Sequence, residues 1–245
     1  MRTLLVLAIT LGATHASAHV APSVDDNNRY LKLTPAADRV RLAYTVFYGE
    51  VPGAQLRRTL DADHDGRIDD AEANAFGERV AGEVADALEL AIDGRNYRVS
   101  WTTVSVGLGT PVTAGGAFSV DLIAWACLPS VRGTHAVTLR DRFRLPRPGE
   151  TEVKIDDGLG ITIHRARIGR IEDPARDYRF VGPGGPLVEE GLDVSFTASE
   201  RAPLTDDATC APAAASRRAP APLVIAAMLA LASALVWLSL PHNKR

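Results

Sequence analysis

Apolar and polar positions alternate within Arg29–Tyr48. Val40, Leu42, Tyr44 and Val46 share one face, with Arg39, Arg41, Ala43 and Thr45 between them. That is the period of a half-buried strand, and Pro35-Ala36-Ala37-Asp38 is the turn leading into it. The period breaks at Gly49–Gly53, where Pro52 suits the first turn of a helix. Leu56 and Leu60, four apart, carry a short helix up to Asp61. Past Glu72, the spacing of Phe76, Val80, Val84 and Leu88 predicts a longer amphipathic helix. Asp93-Gly94, flanked by Leu88–Ile92 and Tyr97–Trp101, is a two-residue hairpin signal. Further strands are expected over Phe118–Leu128, Ala136–Leu145, Glu152–Ile155, Ile161–Ile171 and Leu192–Phe196, and Gly182–Pro186 reads as an irregular loop. Short strands at this spacing predict an antiparallel β-sandwich. With the two helices, the expected class is α+β: a sandwich-like domain carrying an inserted helix–loop–helix.

The two ends follow other rules. Met1–Ala18 has a basic start at Arg2, a short apolar run over Leu4–Leu11 and the small-residue site Ala16-Ser17-Ala18. These mark a secretory signal peptide, so the mature chain begins at His19. Leu223–Leu240 is uncharged throughout, near the ~20 residues that cross the hydrocarbon core, and Trp237 sits close to its end. It is expected to be a C-terminal transmembrane helix, with residues 241–245 as a basic cytoplasmic tail. Between the ends lie an extracytoplasmic domain over 19–197 and an Ala- and Pro-rich flexible stalk over 198–222. The expected location is therefore a membrane of single-pass topology, with the bulk of the chain periplasmic or at the cell surface.

All 30 acidic residues lie between Asp25 and Asp207, and five of the 27 basic ones lie outside that stretch, which leaves it at about −8. Such a balance argues against nucleic acid as a partner and is compatible with cations. Cys127 and Cys210 are the two cysteines. An oxidising compartment permits one disulfide between them, while Cys127, in the apolar Val120–Leu128 stretch, equally suits a buried thiol.

The most specific motif is the run from Asp61 to Glu72, Asp-Ala-Asp-His-Asp-Gly-Arg-Ile-Asp-Asp-Ala-Glu. It matches the twelve-residue EF-hand loop at each diagnostic position. Ca²⁺ is a hard cation that takes six to eight oxygens. Asp61, Asp63 and Asp65 supply carboxylates at positions 1, 3 and 5, and Gly66 permits the sharp turn at position 6. Arg67 offers its backbone carbonyl, Asp69 acts through a water, and Glu72 is the bidentate ligand. Ile68 points into the apolar core, and His64 points away from the ion. The plainer alternative is a solvated acidic turn with Asp69 or Asp70 capping the next helix. It leaves Gly66, Ile68 and Glu72 unexplained together. A single loop in a calcium-rich compartment belongs with the weak, millimolar modules, and a structural ion is expected rather than a signal.

The order of strand, Gly49-Glu50-Val51-Pro52, short helix, EF loop, long helix and Asp93-Gly94 hairpin resembles the periplasmic β-rich domains that accompany nickel/cobalt permeases of the HupE/UreJ kind. The resemblance covers roughly His19–Trp101. It implies an accessory role near transition metals, although one His19 stands where those domains carry a His-x-His pair, and one membrane span replaces a permease. A mature N-terminal His19 also suits copper or nickel, with His135 or His164 as the second ligand; that chemistry includes a copper-dependent oxidative enzyme as an alternative. No Gly-x-Ser-x-Gly elbow, His-Glu-x-x-His or phosphate loop is present, and the paired carboxylates Asp156-Asp157 and Glu189-Glu190 flank turns. The expectation is a non-enzymatic binding or accessory module. Its anchor has a direct consequence: the full chain partitions with membranes, whereas a chain ending at Ala208 is exported as soluble protein. Fractionation checks this, and unproteolysed full-length protein in the soluble fraction contradicts it.

Overall fold

The computed structural model describes residues 25–169, 171–172, 179–181, 186–204 and 210. The expected signal peptide, His19, the Leu223–Leu240 run and the basic tail lie outside them. Among the described residues no helix is long and apolar enough to cross a membrane.

In chain order the elements are β1 (Asn27–Pro35), β2 (Arg39–Tyr48), α1 (Glu50–Leu60), α2 (Asp70–Ala87), β3 (Leu88–Ile92), β4 (Arg95–Tyr97), β5 (Trp101–Gly107) and β6 (Phe118–Cys127). There follow β7 (Gly133–Asp141), β8 (Pro148–Ile155), β9 (Ile161–Ile168), β10 (Ile171–Glu172), β11 (Arg179–Phe180), α3 (Pro186–Glu189) and β12 (Leu192–Ala198). The described strands form two six-stranded sheets, ordered β11-β8-β1-β2-β6-β5 and β10-β9-β12-β7-β3-β4. Every pairing is antiparallel except β1 with β8.

Alternation fixes which face of each strand is inward. Leu31 and Leu33 of β1, Leu42, Tyr44 and Val46 of β2, and Val120 and Leu122 of β6 line the inner face of the first sheet. Leu90 and Ile92 of β3, Val137 and Leu139 of β7, and Val194 and Phe196 of β12 line that of the second. Together they make one apolar cluster, the arrangement of a sandwich. A buried ion pair crosses it between the sheets. Arg29 of β1 donates Nη1 to Asp141 Oδ2 at 2.6 Å and Nη2 to the Phe143 carbonyl at 2.6 Å, and the Tyr44 hydroxyl donates to the same Asp141 oxygen at 2.8 Å. Burial pushes the Asp141 carboxyl up, with Arg29 opposing it, and pushes the Tyr44 hydroxyl well above its usual range.

The chain crosses from the first sheet to the second through the helix pair. β2 ends at Tyr48, α1 and α2 follow, and β3 begins the second sheet. Helix α2 lies on β5: Gly77 leaves no room for a Cβ against Val104 and Val106, and Trp101 Nε1 donates to the Ala81 carbonyl at 2.8 Å. Tyr48, Phe76 and Phe118 pack together where β2, α2 and β6 meet, with centroids 4.8–5.8 Å apart.

The hairpin falls at Asp93-Gly94, with φ of 50° and 75° at the two turn residues, the left-handed pair a tight two-residue turn requires. The α2 stripe stops one residue earlier than its period suggests, because Leu88 is both its C-cap and the first residue of β3. The stalk boundary also moves. Ala198 ends β12, Ala202 packs with Ala37 and Ala198, and Cys210 is buried and bonded to Cys127 across 83 residues. A chain ending at Ala208 therefore lacks the disulfide, and a soluble version that keeps it must run past Cys210.

Closing a loop of this length contributes about 4–5 kcal/mol on the chain-entropy model. Reduction, or Cys210→Ser, is expected to lower the melting temperature by roughly 10 °C, at ~2–4 °C per kcal/mol. Calorimetry with and without reductant measures it. Free thiols in exported, unreduced protein contradict the pairing.

Candidate metal centre

The loop from Asp61 to Asp69 joins the two helices, and both of its ends are also helix caps. Asp61 is the C-cap of α1, and its backbone N–H still donates to the Arg57 carbonyl at 3.4 Å. Asp69 is the N-cap of α2: its Oδ1 accepts from the Glu72 backbone N–H at 2.8 Å, and Glu72 Oε2 accepts from the Asp69 N–H at 3.0 Å. This reciprocal capping box satisfies two of the donors that a helix start leaves open.

Within the loop, carboxylates organise the backbone. Asp61 accepts from the Asp65 N–H at 3.1 Å through Oδ1 and from the Gly66 N–H at 3.0 Å through Oδ2. Asp63 accepts from the Asp65 N–H at 3.2 Å, and Asp65 from the Arg67 N–H at 2.7 Å. The turn needs left-handed backbone at His64, with φ 60°, and at Gly66, with φ 85°. Glycine makes the second of these without strain. As a result, one oxygen each of Asp61, Asp63 and Asp65 lies within 4.8 Å of the others. Asp61 is buried, and the other two are exposed.

Of the six residues expected to hold an ion, the structure gathers these three. Glu72 is turned elsewhere, with Oε1 accepting from the Ala62 N–H at 2.6 Å and Oε2 from Asp69. It ties the start of the loop to its end. Asp69 is occupied as a cap. Arg67 forms an isolated antiparallel bridge with Val112, flanked by Ile68 N–H to the Pro111 carbonyl at 2.8 Å and Thr113 N–H to the Gly66 carbonyl at 3.1 Å. In that register the N–H and C=O of Arg67 itself face away from the Val112 strand, toward the loop. Ile68 is 2 % exposed and belongs to the core cluster, so its side chain points inward as expected.

The partner of the loop is thus the β5–β6 connection, residues 108–117, which carries three glycines and one proline. What holds that connection is Arg57 of α1, fully buried. Its Nε donates to the Gly116 carbonyl at 2.9 Å, Nη1 to those of Thr110 at 2.7 Å and Val112 at 3.1 Å, and Nη2 to that of Ala117 at 3.2 Å and, very closely, to that of Leu108. The guanidinium also sits over the Phe118 ring, 5.4 Å from its centroid. Burial pulls its pKa below the ordinary value, and Glu50 pushes back. Glu50 accepts from the Ala117 N–H at 3.2 Å, and a Cβ at Gly53 would come within 2.7 Å of the Gly116 carbonyl. Glu50, Gly53 and Arg57 recur at helical spacing, so one face of α1 is built to fit this connection. The available sequence signal was the charge itself: Arg57 falls on the same stripe as Gly53 and Leu60.

The histidines are engaged differently. His135 is buried, with Nδ1 bonded to Asp93 Oδ2 at 2.8 Å and Nε2 to the Arg132 carbonyl at 2.7 Å. His164 Nε2 bonds the Thr197 hydroxyl at 2.6 Å. Among the described residues, the one group of His, Cys, Asp or Glu atoms close enough to share a metal ion is Asp61, Asp63 and Asp65. No family model matches the chain, and no curated protein is significantly similar to it.

The capping geometry separates two kinds of aspartate in one loop. With chelator present, Asp69→Ala is expected to cost about 1 kcal/mol through loss of the N-cap. Asp63→Ala, which loses one exposed bond and relieves carboxylate repulsion, is expected to cost less than half as much. Denaturant unfolding of both variants checks the order.

Proposed function

We propose that the protein is a membrane-anchored, extracytoplasmic binding or accessory module whose helix pair is held by one structural Ca²⁺ in the 61–72 loop. The observation that carries this reading is the convergence of the Asp61, Asp63 and Asp65 oxygens inside a turn that their own carboxylates shape. All the donors are oxygen, and the inner carboxylate is buried, which suits a hard divalent cation. Asp61, Asp63 and Asp65 would hold the ion, with the Arg67 carbonyl on the loop side, Asp69 through water, and Glu72 after yielding its bonds to Ala62 and Asp69. The ion supplies positive charge where several carboxylates crowd a short loop. Magnesium suits the site poorly, since it demands tighter octahedral geometry.

The position of the loop gives the ion its structural meaning. The chain leaves the first sheet at Tyr48 and enters the second at Leu88, and the loop sits midway. Ordering it would fix how α1 and α2 meet along the first of the several connections between the sheets. The resemblance to domains beside nickel/cobalt permeases supports an accessory role, and the negative charge of the domain is compatible with cation-rich surroundings.

An ion that binds only the folded form stabilises by RT ln(1 + [L]/Kd), about 1.4 kcal/mol at a tenfold excess over Kd. Calcium is therefore expected to raise the melting temperature of the full-length protein by roughly 3–6 °C. Glu72→Ala and Asp61→Ala are expected to abolish the rise, and magnesium to reproduce little of it. Scanning calorimetry in chelator, calcium and magnesium measures this. A wild-type melting temperature indifferent to chelator contradicts the reading.

A further inference from the structure

EF-type loops ordinarily pair strand to strand with a second loop, and this sequence holds one. The pairing edge is nonetheless filled: Gly66 and Ile68 bond to Thr113 and Pro111 of the β5–β6 connection, with the Thr113 hydroxyl adding a second bond to the Gly66 carbonyl at 3.2 Å. That connection has few means of its own to hold its shape. It spans residues 108–117 without regular structure, and five of its carbonyls converge on Arg57.

We propose that the β5–β6 connection is a built-in partner for the cation loop, and that Arg57 is a positioning residue which sets the loop's Ca²⁺ affinity without touching the ion. The inference rests on the calcium reading above and adds to it a mechanism of coupling. Arg57 sits one turn before Asp61 on α1, so the helix that delivers the first ligand also clamps the segment that pairs with positions 6 to 8 of the loop. When the connection is in place, Gly66, Arg67 and Ile68 are already ordered, and the ion need not order them. Because coupling between two sites is reciprocal, calcium must also tighten the connection. The ordering reaches Phe118 and hence the start of β6, which places the ion in communication with the first sheet as well as with the helices.

Two variants and one wild-type measurement test this on the full chain in detergent. Arg57→Lys keeps the charge and loses the planar fork that reaches five carbonyls. Gly115→Ala keeps Arg57 but brings a Cβ to within 2.8 Å of its guanidinium carbon. Calcium titration by calorimetry is expected to show Kd weakened about tenfold in each folded variant. In the wild type, hydrogen exchange is expected to slow with calcium at Thr113, Gly115 and Ala117 as well as within 61–72. In the variants, protection should be confined to 61–72. If the wild type binds calcium, yet protection stops at the loop and folded variants keep Kd within twofold, the coupling is wrong and the calcium reading stands. If the wild type binds no calcium, both fall. Should neither variant fold, the wild-type exchange pattern decides alone.

Discussion

A buried guanidinium must be surrounded by acceptors, because taking its charge out of water costs several kcal/mol and is repaid only by well-formed bonds. Arg57 meets that constraint with five backbone carbonyls from one ten-residue connection. Bonds to a charged donor contribute about 1.5–3 kcal/mol each, which is what makes a fully buried guanidinium tolerable at this position. The geometry runs both ways: the carbonyls need a planar fork with five donors, and the connection takes the path it does because the fork is there. Glu50 and Gly53, on the same face of α1, complete the fit by bonding the Ala117 N–H and by yielding space to Gly116.

The rest of the helix pair is arranged around that contact. With the connection fixed, Pro111–Thr113 offers a strand edge, and the 61–72 loop docks on it at Gly66–Ile68. Ile68 then enters the core cluster that also holds Leu60 and Phe76, and α2 is set against β5 through Gly77 and Trp101. Arg29 plays a comparable part between the sheets, where it meets Asp141 and Tyr44. The two buried arginines differ in what they bind. Arg29 is neutralised by a carboxylate from the opposite sheet, while Arg57 keeps its charge and is satisfied by dipoles.

What the sequence disclosed was what is local in the chain. The β2 alternation, the Asp93-Gly94 turn, the Leu56–Leu60 spacing and the twelve contiguous loop residues each carry their signal within a short window. Strand β5 escaped because its pattern is weak: the pairing with β6 shifts register between Trp101 and Thr103, and the inward positions are Trp101, Val104 and Val106. The β1–β8 parallel pairing, the Arg29–Asp141 pair across 112 residues and the Arg57 contacts 51 to 60 residues away have no local signature. Glu72 and Asp69 carry a second local signal besides the ion-binding one. Their side chains serve the α2 cap in this structure, a role that the same Asp-x-x-Glu spacing fits as well as ion binding does. The Ala- and Pro-rich stretch after Ala198 read as a tether because composition does not reveal that Ala202 packs against Ala37 or that Cys210 returns to Cys127.

The central claim is that a single cation completes the loop that joins the two helices. Isothermal titration of the full-length protein in detergent, first stripped with chelator, tests it most directly. The account predicts one calcium per chain with Kd in the range of about 10⁻⁴ to 10⁻³ M and little magnesium heat under the same conditions. No calcium heat up to roughly ten times that range, or binding that survives Asp61→Ala unchanged, would contradict it.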